Sequence, residues 1–261
     1  MHQHTAIPKL PPVYPFFEQQ ITRRDYTVFR EFQNGVLEPC CSYDGVKIYI
    51  VSTLPELLTS LKLLQLSIKK HKVNYVGFDT EKEVFIEENA KGNCSTELNT
   101  NKRAIKKLAL IQFATEDTCV LIRIPLVFKN IQEATQLYVF PTEFHDFLAN
   151  EKVSKVGVSA SWDSHALRSQ YKLLVRGVVN LDRIAKSLGH EATSLKSLCN
   201  RYSVGIQPSD VRNKQWFNKE LSKQSILYAA KDAIAGYRLF RSMKNQVDQK
   251  GLLLPVSRKR R

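Results

Sequence analysis

The stretch YVGFDTE, residues 75–81, ends an apolar run on two carboxylates, Asp79 and Glu81, with only Thr80 between them. Side chains of a strand alternate between its faces, so residues i and i+2 share one. Both acids therefore point to the same side. Two bare carboxylates so placed repel each other and raise each other's pKa. A divalent cation is the simplest compensation, because hard ions such as Mg²⁺ and Mn²⁺ prefer carboxylate oxygens.

Outward from this strand, the chain offers further elements. VKIYIV (46–51) reads as a β-branched strand. Thr53 caps a helix that has Pro55 in its first turn and Leu57, Leu58, Leu61 and Leu64 on one face. The polar stretch from Lys82 to Lys107 carries little apolar payload and is expected to be a mobile loop. LALIQFA (108–114) and CVLIRI (119–124) are the next strands, followed by helix TEFHDFLAN (142–150) and strand KVGVS (155–159). Helix WDSHALRSQY (162–171) follows, with Ser161 as the expected cap. The second half is helical and closes on a long helix opening near Ser222. Strands first and helices afterwards predict an α/β mixed sheet flanked by helices in a single domain. Its expected bounds are 46–248, between a Pro- and aromatic-rich N-terminal extension (1–45) and a basic C-terminal tail (249–261).

Three further residues bear on the two acids. Asp163 follows the strand KVGVS where strand hands over to helix, the end at which open α/β sheets hold ligands. Tyr228 and Asp232 stand one helical turn apart in LYAAKDAIAGY and share a face. Ala229, Ala230, Ala233 and Ile234 surround Asp232, a small apolar setting that suits close packing against a sheet edge. Each piece alone is ordinary: a solvated strand end, a helix cap, a helix face. In the order D-x-E, D, Y-x-x-x-D they form one set.

That set resembles the DEDD superfamily of 3′–5′ exonucleases, in the branch with a tyrosine in its third motif. VGFDTE is similar to the first motif, KVGVSASWDSHAL to the second and LYAAKDAIAGYRLF to the third. Werner-type and ribonuclease D-type exonuclease domains are the most similar, over roughly residues 46–245. The sister branch has a histidine five before the last aspartate, where this chain has Leu227. The resemblance implies an RNase H-like fold and a site of two Mg²⁺ or Mn²⁺ ions that clamp an in-line phosphodiester displacement. It further implies that Asp79 bridges both ions, that Glu81 and Asp232 hold the ion bearing the attacking water, and that Asp163 supports the second. Tyr228 would orient that water through its hydroxyl. The family's tryptophan in this region packs, so packing is also expected of Trp216.

Composition agrees. The chain has 261 residues, 43% hydrophobic, with a net charge of +14 that favours a polyanion such as DNA or RNA. Lys69, Lys70, Lys72, Lys106 and Lys107 read as solvated faces that could also touch phosphates. The longest apolar stretch, Cys119–Phe128, is broken by Arg123 and Pro125, so no membrane span is expected. The start lacks the apolar core of a secretory signal. Five cysteines without C-x-x-C spacing read as free thiols rather than as a zinc site. His145, His165 and His190 invite metal or acid–base readings, but His165 faces away from Asp163 on its helix and reads as structural. The ending SRKRR resembles a short nuclear localisation signal, and the N-terminal extension either packs on the domain or docks a partner. Two rivals stand beside the exonuclease: a pseudo-nuclease that binds without turnover, and an RNase H-like enzyme that cuts internally.

Overall fold

The computed structural model describes residues 37–88, 102–127, 140–206 and 215–249. Most of the N-terminal extension, the centre of the polar stretch and the SRKRR ending lie outside these residues. Seven strands form one sheet among them: β1 (Cys41–Tyr43), β2 (Val46–Val51), β3 (Tyr75–Glu88), β4 (Lys102–Ala114), β5 (Thr118–Arg123), β6 (Ser154–Gly157) and β7 (Val178–Asn180). Their spatial order is β1-β2-β5-β4-β3-β6-β7. β3, β4 and β5 pair antiparallel, whereas β2 pairs with β5, β3 with β6, and β6 with β7 in parallel. The sheet is therefore mixed, as the element order predicts.

Helices cover both faces. α1 (Leu54–Lys70), α2 (Ile124–Val127), α3 (Thr142–Ala149) and α4 (Ala160–Tyr171) pack with Phe78, Ile111 and Phe113. α5 (Leu181–Ser187), α6 (Leu195–Arg201) and α7 (Lys223–Gln249) pack on the other side with Tyr75, Leu110 and Leu121. Thr53 caps α1 through a capping box with Glu56. Ser222 caps α7 by accepting from the Ser225 N–H at 3.2 Å.

α7 lies unusually close to β3. A Cβ on Gly77 would stand 2.0 Å from the Ala233 carbonyl, and one on Gly236 would stand 3.1 Å from that of Val156. Both glycines thus permit backbone to rest on backbone. The small residues around Asp232 pack over β3 and β6 in the sheet's interior rather than at an edge.

Two sequence expectations are corrected. The stretch from Lys82 is not all loop: β3 continues to Glu88 and β4 begins at Lys102, paired as one antiparallel arm. Val84, Phe85, Ile86 and Ile105 supply the β-forming side chains that a count of polar residues hides. Lys107 stands over the Phe85 ring at 5.2 Å, and Gln170 binds the arm's base through the Leu108 N–H and the Lys106 carbonyl. Ser161 is not the cap of α4, which starts one residue earlier. Its N-terminal position is Ser159, in left-handed backbone at φ 58°, and the Ser159 and Ser161 N–H groups donate to Asp182 and Asn180, both at 2.9 Å. These two N–H groups at the start of α4 are thus satisfied from β7 and α5.

Candidate active site

Asp79 and Glu81 leave β3 on the face covered by α7, and Asp232 meets them from that helix. One carboxylate oxygen from each lies within 4.8 Å of the other two. All three side chains are half-buried. Burial, followed by the charges of Asp163, Glu81 and Asp232, pushes Asp79 well above the usual carboxylate range. Burial and the same neighbours push Glu81 up to about 8, against the pull of Lys82. Asp232 is pushed to about 7 by burial, although a hydrogen bond with Tyr228 and the charge of Lys231 oppose it. Tyr228 is thus brought to Asp232, as their one-turn spacing predicts.

Asp163 reaches the same region from α4 but is treated differently. It is buried at 7% exposure, and its Oδ1 accepts from the Thr80 hydroxyl at 2.5 Å and from Lys82 Nζ at 3.2 Å. Burial raises its pKa while those two partners lower it. The two residues that alternate with Asp79 and Glu81 along β3 therefore serve the fourth acid. Sequence reasoning passed over Thr80 and Lys82, although strand alternation already directs them to the opposite face.

The donor set fits a hard divalent cation. Buried Asp232 Oδ1 has no hydrogen-bond partner among the described residues. Buried acceptors are normally paired, and an unpartnered oxygen on one of three clustered carboxylates is the kind of donor a divalent cation takes. Gln112, in register with Asp79 on β4, is fully buried, with neither amide atom paired among the described residues.

The remaining sequence candidates fall outside this cluster. Trp216 is buried at 2% exposure and packs against Tyr228 with ring centroids 6.1 Å apart. His145 and His165 are exposed, and His190 bonds the Tyr202 hydroxyl at 2.7 Å. Trp162, immediately before Asp163, was not singled out from sequence and is 73% exposed. Cys40, Cys41, Cys119 and Cys199 are free thiols.

A seven-strand mixed sheet with acids delivered from β3, α4 and α7 has the RNase H-like exonuclease architecture. The chain belongs to the 3′–5′ exonuclease family, whose model matches residues 55–248. Among curated proteins, human exonuclease 3′-5′ domain-containing protein 2 is 34% identical over 142 residues, covering 51% of this chain and 22% of that protein. The match thus spans less than a quarter of that relative. Among solved structures, the catalytic core of RRP6 from Trypanosoma brucei aligns with a TM-score of 0.60 at 13% identity, over 85% of this chain and 53% of that one. Brucella melitensis NrnC bound to pGG aligns with a TM-score of 0.53 at 17% identity, over 79% of this chain and 84% of that one. At these identities the structural likeness carries the fold.

Proposed function

We propose that the protein is a metal-dependent 3′–5′ exonuclease of the tyrosine branch that removes nucleotides one at a time from a free 3′ end of DNA or RNA. The observation that carries this reading is the convergence of the Asp79, Glu81 and Asp232 carboxylates, with one buried oxygen of Asp232 unpartnered among the described residues. Membership of the exonuclease family supports it, and an oligonucleotide, pGG, is bound in one protein of like fold. Bound Mg²⁺ or Mn²⁺, two ions per site, would stabilise charge on the phosphoryl group and lower the pKa of the attacking water. Asp79, Glu81 and Asp232 would hold the ions, and Asp163 would contribute from α4. Tyr228 orients the water, since phenols titrate near pH ~10 and are weak bases at neutrality. Trp162 offers an exposed π-face beside Asp163 on which an unpaired base can stack.

The test is digestion of end-labelled DNA and RNA oligonucleotides with open and blocked 3′ ends, in Mg²⁺, Mn²⁺ or EDTA. A ladder shortening from open 3′ ends, absent in EDTA, is expected. Equal cutting of blocked ends would make the enzyme an internal nuclease. Binding without any cleavage would make it a pseudo-nuclease.

A further inference from the structure

The segment that leads into α7, residues 215–221, is tied down from outside the catalytic cluster. Arg123, at the end of β5, is 5% exposed and has no carboxylate partner among the described residues. Its guanidinium donates instead to two consecutive carbonyls of this segment, those of Lys219 at 2.6 Å and of Asn218. Glu83 on β3 accepts from the Phe217 N–H at 2.8 Å, and Phe85 meets the Phe217 ring edge-on at 4.9 Å. Trp216, next in the chain to Phe217, faces Tyr228.

We propose that Arg123 is a positioning residue for Tyr228, fixing the 215–221 segment so that the buried Trp216 ring sets where the tyrosine hydroxyl stands. The proposal rests on the role of Tyr228 given above. Burying a guanidinium is costly, and Arg123 Nε stays buried without a partner among the described residues. Well-packed apolar residues often replace buried charges without loss of stability. Core stability alone therefore gives no reason for an arginine at the end of β5. A planar fork spanning two adjacent carbonyls does give one, because it fixes the path of a short segment as a single apolar contact could not. A small displacement of a group that orients a reactant is enough to lower the rate greatly.

The experiment compares R123M, R123K, Y228F and the R123M/Y228F double variant. Melting temperature establishes that each is folded, and Mn²⁺ calorimetry measures ion affinity. R123M is expected to lower kcat about tenfold or more, with Mn²⁺ affinity and oligonucleotide KM unchanged. R123K keeps the charge but not the fork and should fall between, which keeps the test decisive if R123M does not fold. In the Y228F background R123M should add almost nothing, because the cycle measures coupling through the tyrosine. Unchanged kcat in R123M and R123K, or an R123M loss equally large in the Y228F background, overturns the proposal while leaving the exonuclease reading intact. Full activity of Y228F removes the tyrosine's role and this proposal with it.

Discussion

Asp117, in the turn between β4 and β5, and the cluster of Asp79, Glu81 and Asp232 are two acidic places on one sheet, and the fold equips them in opposite ways. Asp117 accepts from Ser67 at 2.5 Å, Lys70 at 2.6 Å, His71 at 3.0 Å and Thr118 at 3.1 Å. Burial alone would raise its pKa, but these donors outweigh it and hold the carboxyl far below its ordinary range. The three clustered acids mostly face one another, and their pKa values rise. An acid that serves the fold arrives with its donors. Acids brought together with too few donors to offset their burial and mutual repulsion are an arrangement that a cation would balance. Asp163, with Thr80 and Lys82, stands between these two conditions.

The largest expected effect separates the two places by function. Asp79→Ala and Asp232→Ala should lose turnover by at least about 10²–10³-fold, the loss typical when one group that stabilises transition-state charge is removed. Asp117→Ala should instead cost about 1–3 kcal/mol of stability by stranding buried donors, with turnover of the folded protein retained. Its Lys70 partner is largely exposed and contributes little of that cost. Single-turnover cleavage beside thermal melts reads both outcomes. Lost turnover in folded Asp117→Ala would break the contrast.

Cation binding is the next largest effect. Mg²⁺ or Mn²⁺ at a hundred times its dissociation constant should stabilise the wild type by about 2.7 kcal/mol. Asp117→Ala should gain as much as wild type, and Asp232→Asn less, having lost a ligand. Melts with and without the ion measure this, and an equal gain in Asp232→Asn would place the ion elsewhere.

The chain's two tryptophans allow a finer contrast on the substrate side. Trp162 is 73% exposed and Trp216 is 2% exposed, so only the former's emission should respond to an oligonucleotide. Quenching on addition of single-stranded DNA in EDTA is expected. Trp162→Ala should weaken that binding by about 1–3 kcal/mol, the usual worth of one stacked base. An unquenched spectrum at saturating DNA would leave Trp162 without this role.

Much of this was legible in the sequence because the information was local. Strand alternation gave the shared face of Asp79 and Glu81, helix periodicity joined Tyr228 to Asp232, and the run of alanines foretold the close approach of α7. What stayed hidden was non-local. Val84 and Ile86 reveal themselves as strand residues only opposite Lys106 and Ala104 on β4. The cap of α4 comes from Asn180 and Asp182, and Arg123 finds its carbonyls at residues 218 and 219, far along the chain. No spacing rule connects such positions.

The smallest expected effect probes the cluster with no ion at all. Raised carboxyl pKa values mean that the folded protein binds protons that the unfolded chain has released. The stabilisation is therefore complete below the ordinary carboxylate range and is lost as pH rises through the folded values. For Asp232 and Glu81 those values are about 7 and about 8. In EDTA the wild type should melt progressively lower from about pH 5 to pH 8, over which Asp117, already ionised in both states, contributes no slope. Asp232→Asn nearly keeps the side chain's shape and removes one repelling charge. It should melt higher than wild type at pH 8 by a few degrees, since about 1 kcal/mol shifts a domain of this size by roughly 2–4 °C. Near pH 5, where Asp232 is already neutral in the folded protein, that advantage should vanish. A mutant that melts lower than wild type at both pH values would mean that Asp232 is held by hydrogen bonds like Asp117, and the distinction between the two acidic places would be lost.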